Sequence, residues 1–134
     1  MEHEFLKKYL GGKSFEEILA MDTQDADQVK ALIDGIEAMM KDYASKITYT
    51  QMRNILQLVK NPEFEKEGGL AAFFRVLPLL AYMEARPTLS SEGKEVVSFV
   101  RALAGAVKNG QYPTFVDILN TMVAYHKLYD HGKA

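Results

Sequence analysis

The sequence has no cysteine and no long apolar run. Without cysteine there can be no disulfide framework, no thiolate nucleophile and no thiolate metal site, which fits a reducing cytosol. The most apolar stretch, residues 70–83, is interrupted by Arg75 and Pro78 and is shorter than the roughly 20 residues that a membrane span needs. The first residues are acidic where a signal peptide would be basic. We therefore expect a soluble, cytoplasmic protein without a membrane partner.

Basic charge is scarce in the N-terminal third of the chain. Residues 1–45 carry ten acidic and five basic side chains and residues 46–134 carry eight acidic and eleven basic ones, so the net charge of −2 conceals segments of −5 and +3. All four arginines lie in the second segment. Charge asymmetry along a chain guides the choice of partner better than the total charge does. Here it favours a polyanion as the partner of residues 46–134.

Patterns typical of strands are weak, whereas apolar residues recur at the spacings of three and four that helices require. The pattern predicts helices over about residues 15–21, 23–44, 48–60, 70–86, 91–108 and 113–128. Short connections favour antiparallel neighbours. We therefore predict an all-α fold, a single-domain bundle of about five to six helices over residues 1–134. Residues 1–13 form a short N-terminal segment that could be flexible.

Local signals predict several helix ends. Two pairs have the spacing of capping boxes, in which the first side chain accepts a backbone N–H and the second reaches back: Ser14 with Glu17, and Thr48 with Gln51. Asp22 or Thr23 can cap the helix that runs to about residue 44. Pro78 should kink the helix over residues 70–86 near Phe74, whose carbonyl group loses its hydrogen-bond partner.

Basic residues recur at four- and seven-residue intervals, about one and two helical turns, on three predicted helices: Arg53 and Lys60 with Gln57, Arg75 and Arg86 with Tyr82, and Lys94, Arg101 and Lys108. Three such ridges on neighbouring helices could merge into one groove that neutralises phosphates. Tyr82 would then offer a stacking surface of the kind that single-stranded RNA uses. The alternative is that each ridge is only the solvated face of an amphipathic helix. The pattern leaves both interpretations open.

The sequence shows no arrangement typical of a catalytic or metal site. His126 and Asp130 are one turn apart and His131 follows, but metal sites usually need three or four convergent ligands. His126 also falls on an apolar stripe, where a packed or hydrogen-bonded histidine is expected. Acidic residues do not form a buried acid–base pair, and hydroxyl residues lack a neighbouring base. We predict that the chain is not an enzyme and holds no metal and no cofactor.

Three segments stand out by their order and spacing: Thr48-Tyr49-Thr50-Gln51-Met52-Arg53, Leu79-Leu80-Ala81-Tyr82-Met83-Glu84-Ala85-Arg86, and the helix from Phe115 to Lys127 that contains Val-Ala-Tyr-His-Lys. Together they resemble the small subunit of type III-A CRISPR effector complexes, the Csm small subunit. The resemblance covers about residues 46–130, and residues 1–45 carry no signature of the family. Leu79 stands where many relatives carry a basic residue.

The resemblance implies an all-helical subunit of an antiviral defence complex, without catalytic activity. It implies that several copies stack along the complex, contact its other subunits, and touch the guide RNA and the target RNA as a duplex. It also implies phosphate contacts for Arg53 and Arg86, which lie within the matching segments. Spacing alone adds further RNA-binding candidates: Lys60, Arg75, Lys94, Arg101 and Lys127.

Other functions stay open at this point. The chain could be a helical protein–protein adaptor or homodimer, with an exposed apolar patch as its function and no intrinsic RNA binding. The related small subunit of type III-B complexes is an alternative of the same class. A metal-dependent hydrolase is a third alternative.

Overall fold

The computed structural model describes residues 3–130, and these residues form eight α-helices and one 3₁₀-helix, with no strand among them. The α-helices are α1 (Glu4–Tyr9), α2 (Phe15–Leu19), α3 (Ala26–Tyr43), α4 (Tyr49–Val59), α5 (Gly69–Phe74), α6 (Val76–Glu84), α7 (Ser91–Gly105) and α8 (Tyr112–Tyr129), and the 3₁₀-helix spans Pro62–Glu65. The predicted all-α class is confirmed, and every helix that the periodicity predicts is present. Among the residues described, no helix combines the length and apolar character that crossing a membrane demands.

Both predicted capping boxes are formed. The Ser14 hydroxyl accepts the backbone N–H of Glu17 at 3.1 Å, and the Glu17 carboxylate accepts the backbone N–H of Ser14 at 2.9 Å. Thr48 and Gln51 make the same pair of bonds at 3.0 and 2.9 Å. Each box satisfies two backbone N–H groups that a helix start otherwise leaves unpaired. The starts of α2 and α4 are therefore determined by local sequence.

The start of α3 differs from the prediction. Asp25 caps this helix, and its carboxylate accepts two backbone N–H groups of the first turn at 3.0 and 3.2 Å. The predicted caps, Asp22 and Thr23, lie outside the helix. Since all three residues have side chains suited to capping, local chemistry does not choose among them.

The interruption between α5 and α6 lies where proline predicts it. Pro78 has no N–H to give to the carbonyl group of Phe74, and α5 ends at Phe74. Arg75 alone separates the two helices. The predicted kink is confirmed, and it divides the helix over residues 70–86 into two rods.

One contiguous core joins the described helices. Neighbours pack in the order α3, α8, α4, α6, α7 and back to α3, while α7 also contacts α8. The aromatic rings of Phe73, Tyr112 and Phe115 meet within this core, where the Phe73 ring centroid lies 5.2 Å from each of the other two. In this order α6 lies across the bundle from the pair formed by α3 and α8.

The N-terminal residues contribute to the core through α1, which the periodicity did not predict. Phe5 and Leu6 are 2% and 1% exposed, and α1 packs against α3. Gly35 of α3 makes this approach possible. A Cβ atom there would overlap the carbonyl oxygen of Tyr9 and come within 2.9 Å of the Leu10 side chain, closer than a Cβ atom normally approaches either.

A glycine-to-alanine pair tests this contact. Gly35→Ala should lower the free energy of unfolding by about 1–3 kcal/mol, because the added methyl group displaces α1 from α3. Gly105→Ala is the matched control, since Gly105 is also helical and nothing lies within 4 Å of its Cβ position. It should raise stability by about 0.5–1 kcal/mol. Urea unfolding of both variants measures the difference, and equal effects would contradict the proposed role of Gly35.

Candidate nucleic-acid interface

Two cationic side chains from different helices meet on the ring of Tyr49. The guanidinium of Arg53, on α4, lies 5.9 Å from the ring centroid, and its Nη1 donates a hydrogen bond to the Tyr49 hydroxyl at 3.2 Å. The Lys127 ammonium, on α8, lies 4.8 Å from the same centroid. Both cations are solvent-exposed, and neither forms a salt bridge within the described part of the chain. Cation–π contacts of this kind hold a charged group in place without neutralising it.

A buried histidine fixes the N-terminal end of α4 against α8. His126 is 0% exposed, and its Nε2 lies 2.6 Å from the backbone oxygen of Ile47, directly before the Thr48 cap. Because a carbonyl oxygen can only accept, Nε2 carries the proton and donates it. The imidazole ring also lies 6.2 Å from the Tyr49 ring, centroid to centroid. His126 is therefore a buried, hydrogen-bonded residue, as its place on the apolar stripe predicted.

A second buried bond fixes the other end of α4. The hydroxyl group of Tyr112, at the start of α8, donates to the carbonyl oxygen of Val59 at 2.6 Å and accepts the backbone N–H of Asn61 at 3.0 Å. Since Tyr112 and His126 lie near opposite ends of α8, the two helices are joined antiparallel at both ends of α4. This double attachment determines where Arg53 lies relative to Lys127.

Arg86 extends the cationic surface toward α6. Its guanidinium lies 5.5 Å from the ring centroid of Tyr82, which is 68% exposed. Arg86 also lines a small cleft together with Gln51 and Asn54, the α4 residues on either side of Arg53 in the chain. Arg86, two residues after the end of α6, therefore lies beside α4. We call Lys127, Tyr49, Arg53 and Arg86 the basic strip.

Two of the predicted RNA-binding residues bind other groups of the same molecule. Lys94 Nζ donates to the backbone oxygens of Glu84 and Arg86 at 2.7 and 3.0 Å, where a cation satisfies carbonyl groups at the end of α6. Arg101 pairs with the Glu84 carboxylate through Nε at 2.9 Å and Nη2 at 2.8 Å. Both side chains join α7 to α6, and Lys94 holds the backbone of Arg86 in position.

The two remaining candidates lie toward the ends of the surface. Lys60 is exposed directly after α4, about 10 Å along the helix from Arg53 at 1.5 Å per residue. Arg75 is exposed at the junction of α5 and α6, about 16 Å from Arg86 by the same measure. The seven candidates therefore fall into three groups. Arg53, Arg86 and Lys127 belong to the basic strip, Lys60 and Arg75 lie toward its ends, and Lys94 and Arg101 bind groups at the end of α6.

Sequence reasoning missed the part played by Tyr49. It singled out Tyr82 as the aromatic platform, although Tyr49 and Arg53 have the i, i+4 spacing that brings side chains together on a helix. That spacing was a usable signal. The contribution of Lys127 carried no such signal, because it lies 78 positions after Tyr49 and reaches the ring only through the packing of α8 on α4.

The metal hypothesis receives no support from the residues described. Within residues 3–130, no three histidine, aspartate or glutamate side chains lie together so as to hold a metal ion. His131, the third residue of the candidate metal site with His126 and Asp130, lies outside the described residues. His126 gives its Nε2 proton to the Ile47 oxygen, and so it would have to lose that bond to coordinate a metal through Nε2.

Replacing His126 tests the attachment of α4. His126→Leu should lower the free energy of unfolding by about 1–3 kcal/mol, because the buried Ile47 carbonyl group loses its partner. His126→Gln, which retains a side-chain N–H donor, should recover part of that loss. Urea unfolding with tyrosine fluorescence as the signal gives both values. If the leucine and glutamine variants were equally stable, the hydrogen bond would not be what His126 contributes.

Comparison with known proteins yields one family. The family model described as Csm2 Type III-A matches residues 23–132. The matched region includes all three segments singled out in the sequence and extends back through α3, where no family signature had been recognised. No curated protein and no solved structure matches the chain significantly.

Proposed function

The chain belongs to the Csm2 family, which comprises structural small subunits of type III-A CRISPR effector complexes, and on that premise we propose that it binds the guide–target RNA duplex through the basic strip. The binding is non-catalytic, and several copies stack along the complex. The partners are the guide RNA, the target RNA, the other subunits and further copies of the chain.

The observation that supports this proposal most strongly is the meeting of Arg53 and Lys127 on Tyr49. The two cations come from α4 and α8, point to solvent and have no carboxylate partner in the described residues. Arg86, just after the end of α6, adds a third such cation. Phosphates along an RNA strand offer a row of single negative charges, and a row of unpaired cations binds them regardless of sequence.

The tyrosines of this surface orient cations rather than read bases. In an RNA duplex the bases are paired and stacked, so proteins recognise its shape, its phosphates and its 2′-hydroxyl groups. Tyr49 holds Arg53 by a hydrogen bond and by its ring, and Tyr82 holds Arg86 by its ring. A guanidinium that is already ordered loses less conformational entropy when it meets a phosphate.

Binding by a single copy should be weak. Three cations supply a few phosphate contacts, and each contact exposed to water contributes little. Several copies on one duplex turn later contacts into intramolecular ones, and avidity then raises the overall affinity. Stacking and RNA binding therefore depend on each other in this proposal.

Salt dependence of RNA binding tests the basic strip. For the isolated protein and an RNA duplex, the logarithm of the affinity should fall with the logarithm of salt concentration. The slope should decrease by about 0.7–0.9 for each of Arg53→Gln, Arg86→Gln and Lys127→Gln, because each variant removes one phosphate contact. Fluorescence anisotropy over a range of salt concentrations gives the slopes.

Lys8→Gln is the matched control for this series. Lys8 is also an exposed cation over a tyrosine ring, 5.3 Å from the centroid of Tyr9, but it lies on α1, outside the basic strip. Its removal should leave the slope unchanged. Tight binding that is indifferent to salt, or a Lys8 variant that behaves like the Arg53 variant, would contradict the proposal.

A charge reversal tests the same surface in the assembled complex. Arg53→Glu together with Arg86→Glu should weaken capture of target RNA, because carboxylates then face the phosphates. The fold should survive, since both side chains are exposed. Target capture by the reconstituted complex and circular dichroism of the variant subunit measure the two effects. Unchanged capture would remove both residues from the RNA-binding surface.

A protein–protein adaptor is the second candidate function, and the exposed outer face of α6 favours it. Leu79 and Tyr82 are 50% and 68% exposed, which suits a protein contact. Gel filtration and an RNA mobility-shift assay on one sample separate the two functions. Self-association without any RNA shift at low salt would favour the adaptor.

A further inference from the structure

A polar cleft of about 520 Å³ lies at the start of α4. Residues 44–51, 88, 90 and 129–130 line it. Tyr49 belongs to this lining, and its ring is the one that Arg53 and Lys127 contact. The small cleft that includes Arg86 shares lining residues with the polar cleft. The polar cleft therefore adjoins both parts of the basic strip, the cations on Tyr49 and Arg86.

Neutral side chains supply most of the polar groups in this lining. Its charged side chains are Lys46 and Asp130, one of each sign. The lining therefore adds no net charge, unlike the basic strip, and it offers a phosphate no advantage. It does offer hydroxyl groups from serine, threonine and tyrosine residues. Such groups form hydrogen bonds with uncharged polar partners.

Several of these hydroxyl groups already have a partner within the chain. Ser90 donates to the backbone oxygen of Lys46 at 2.7 Å, and Tyr129 donates to the Glu37 carboxylate at 2.6 Å. The Thr48 hydroxyl accepts a backbone N–H group in the capping box. These three residues therefore have structural roles that explain their presence.

Three other side chains of the cleft keep polar groups without such a role. Thr50 and Thr88 are exposed, and neither hydroxyl group forms a hydrogen bond within residues 3–130. Gln51 gives its amide oxygen to the backbone N–H of Thr48, and its NH₂ group has no partner in the same part of the chain. A threonine hydroxyl donates and accepts, and an amide NH₂ group donates. A ribose 2′-hydroxyl, which also donates and accepts, suits both.

The placement of these groups beside cations matches the order of groups along a nucleic-acid strand. A sugar lies between each phosphate and the next, so a strand held by its phosphates on the basic strip carries its sugars past the adjoining polar groups. The cations attract RNA and DNA alike, since both have the same phosphates. The 2′-hydroxyl is the group by which a protein distinguishes RNA from DNA at a given place.

We propose that Thr50, Gln51 and Thr88 bind 2′-hydroxyl groups of the strand held on the basic strip, so that this subunit selects RNA over DNA. Sugar selection rests on the proposed function and adds to it the groups that recognise the type of nucleic acid. Each neutral hydrogen bond of this kind raises the affinity about 2- to 10-fold. The preference of one copy is therefore modest, and it multiplies when several copies bind one strand.

Three duplexes of one sequence test sugar selection: RNA, RNA with 2′-fluoro groups in place of the hydroxyl groups, and DNA. The fluoro duplex keeps the A-form shape and the phosphates but has no hydroxyl donor, so it separates the effect of the hydroxyl group from that of shape. Fluorescence anisotropy at low salt should show binding to RNA that is about 2- to 10-fold tighter per contact than binding to the fluoro duplex. DNA should bind at least as weakly as the fluoro duplex. Equal affinities for RNA and the fluoro duplex would overturn the proposal.

Two double variants locate the effect. Thr50→Val with Thr88→Val removes two hydroxyl groups and keeps both side chains branched, so the ratio of the affinities for RNA and the fluoro duplex should fall about 2- to 10-fold for each bond lost. Thr23→Val with Thr114→Val is the matched control, because these threonines line a different cleft, beside α3. The control should keep the ratio of the wild type. A ratio that both double variants lower equally, or that neither lowers, would contradict the assignment to the polar cleft.

Failure of sugar selection is distinguishable from failure of the basic strip. Thr50→Val with Thr88→Val should keep the salt slope of RNA binding, because it removes no cation. Arg53→Gln and Lys127→Gln should weaken binding to RNA and to the fluoro duplex equally, so the ratio of the two affinities stays the same. Binding that depends on salt but not on the 2′-hydroxyl group would overturn sugar selection alone. Absence of salt-dependent binding would overturn both proposals.

Discussion

The rest of the structure depends on the attachment of α4 to α8 at both ends. His126 donates to the carbonyl oxygen of Ile47 before α4, and Tyr112 donates to that of Val59 at its end. Both bonds are buried, and both join a side chain of α8 to the backbone of α4. A backbone carbonyl left without a partner in the core would cost about 1–3 kcal/mol, so the register of the two helices is fixed. That register places the Lys127 ammonium beside the Tyr49 ring, which Arg53 also contacts.

Which basic side chains reach solvent depends on the hydrogen bonds that the ends of neighbouring helices need. Lys94 and Arg101 have the same seven-residue spacing that suggested a phosphate-binding ridge. In the folded chain, however, both side chains bind the C-terminal end of α6. Lys94 donates to backbone carbonyl groups there, and Arg101 pairs with the Glu84 carboxylate. Periodicity shows which residues share a helix face, but the neighbour of that face decides whether they meet solvent. Of the candidates that remain exposed, Arg53, Arg86 and Lys127 lie beside tyrosine rings, whereas Lys60 and Arg75 lie toward the ends of the surface.

Surface chemistry is divided between the sides of the bundle. Residues 12–34, which border two clefts beside α3, carry six acidic and two basic side chains, whereas Arg75 and Arg86 flank the apolar helix α6. A net charge of −2 reveals none of this.

The sequence by itself determined the all-α class, two capping boxes, the interruption at Phe74 and the family resemblance over residues 46–130. The helices, the capping boxes and the interruption depend on residues three or four positions apart, whose interactions are local. Tertiary structure decided the packing of the helix α1 and the meeting of Arg53 and Lys127 at the Tyr49 ring. Each of these depends on groups distant in sequence, such as the carbonyl group of Tyr9 above Gly35. Helical periodicity specifies a face, whereas only packing specifies what that face meets.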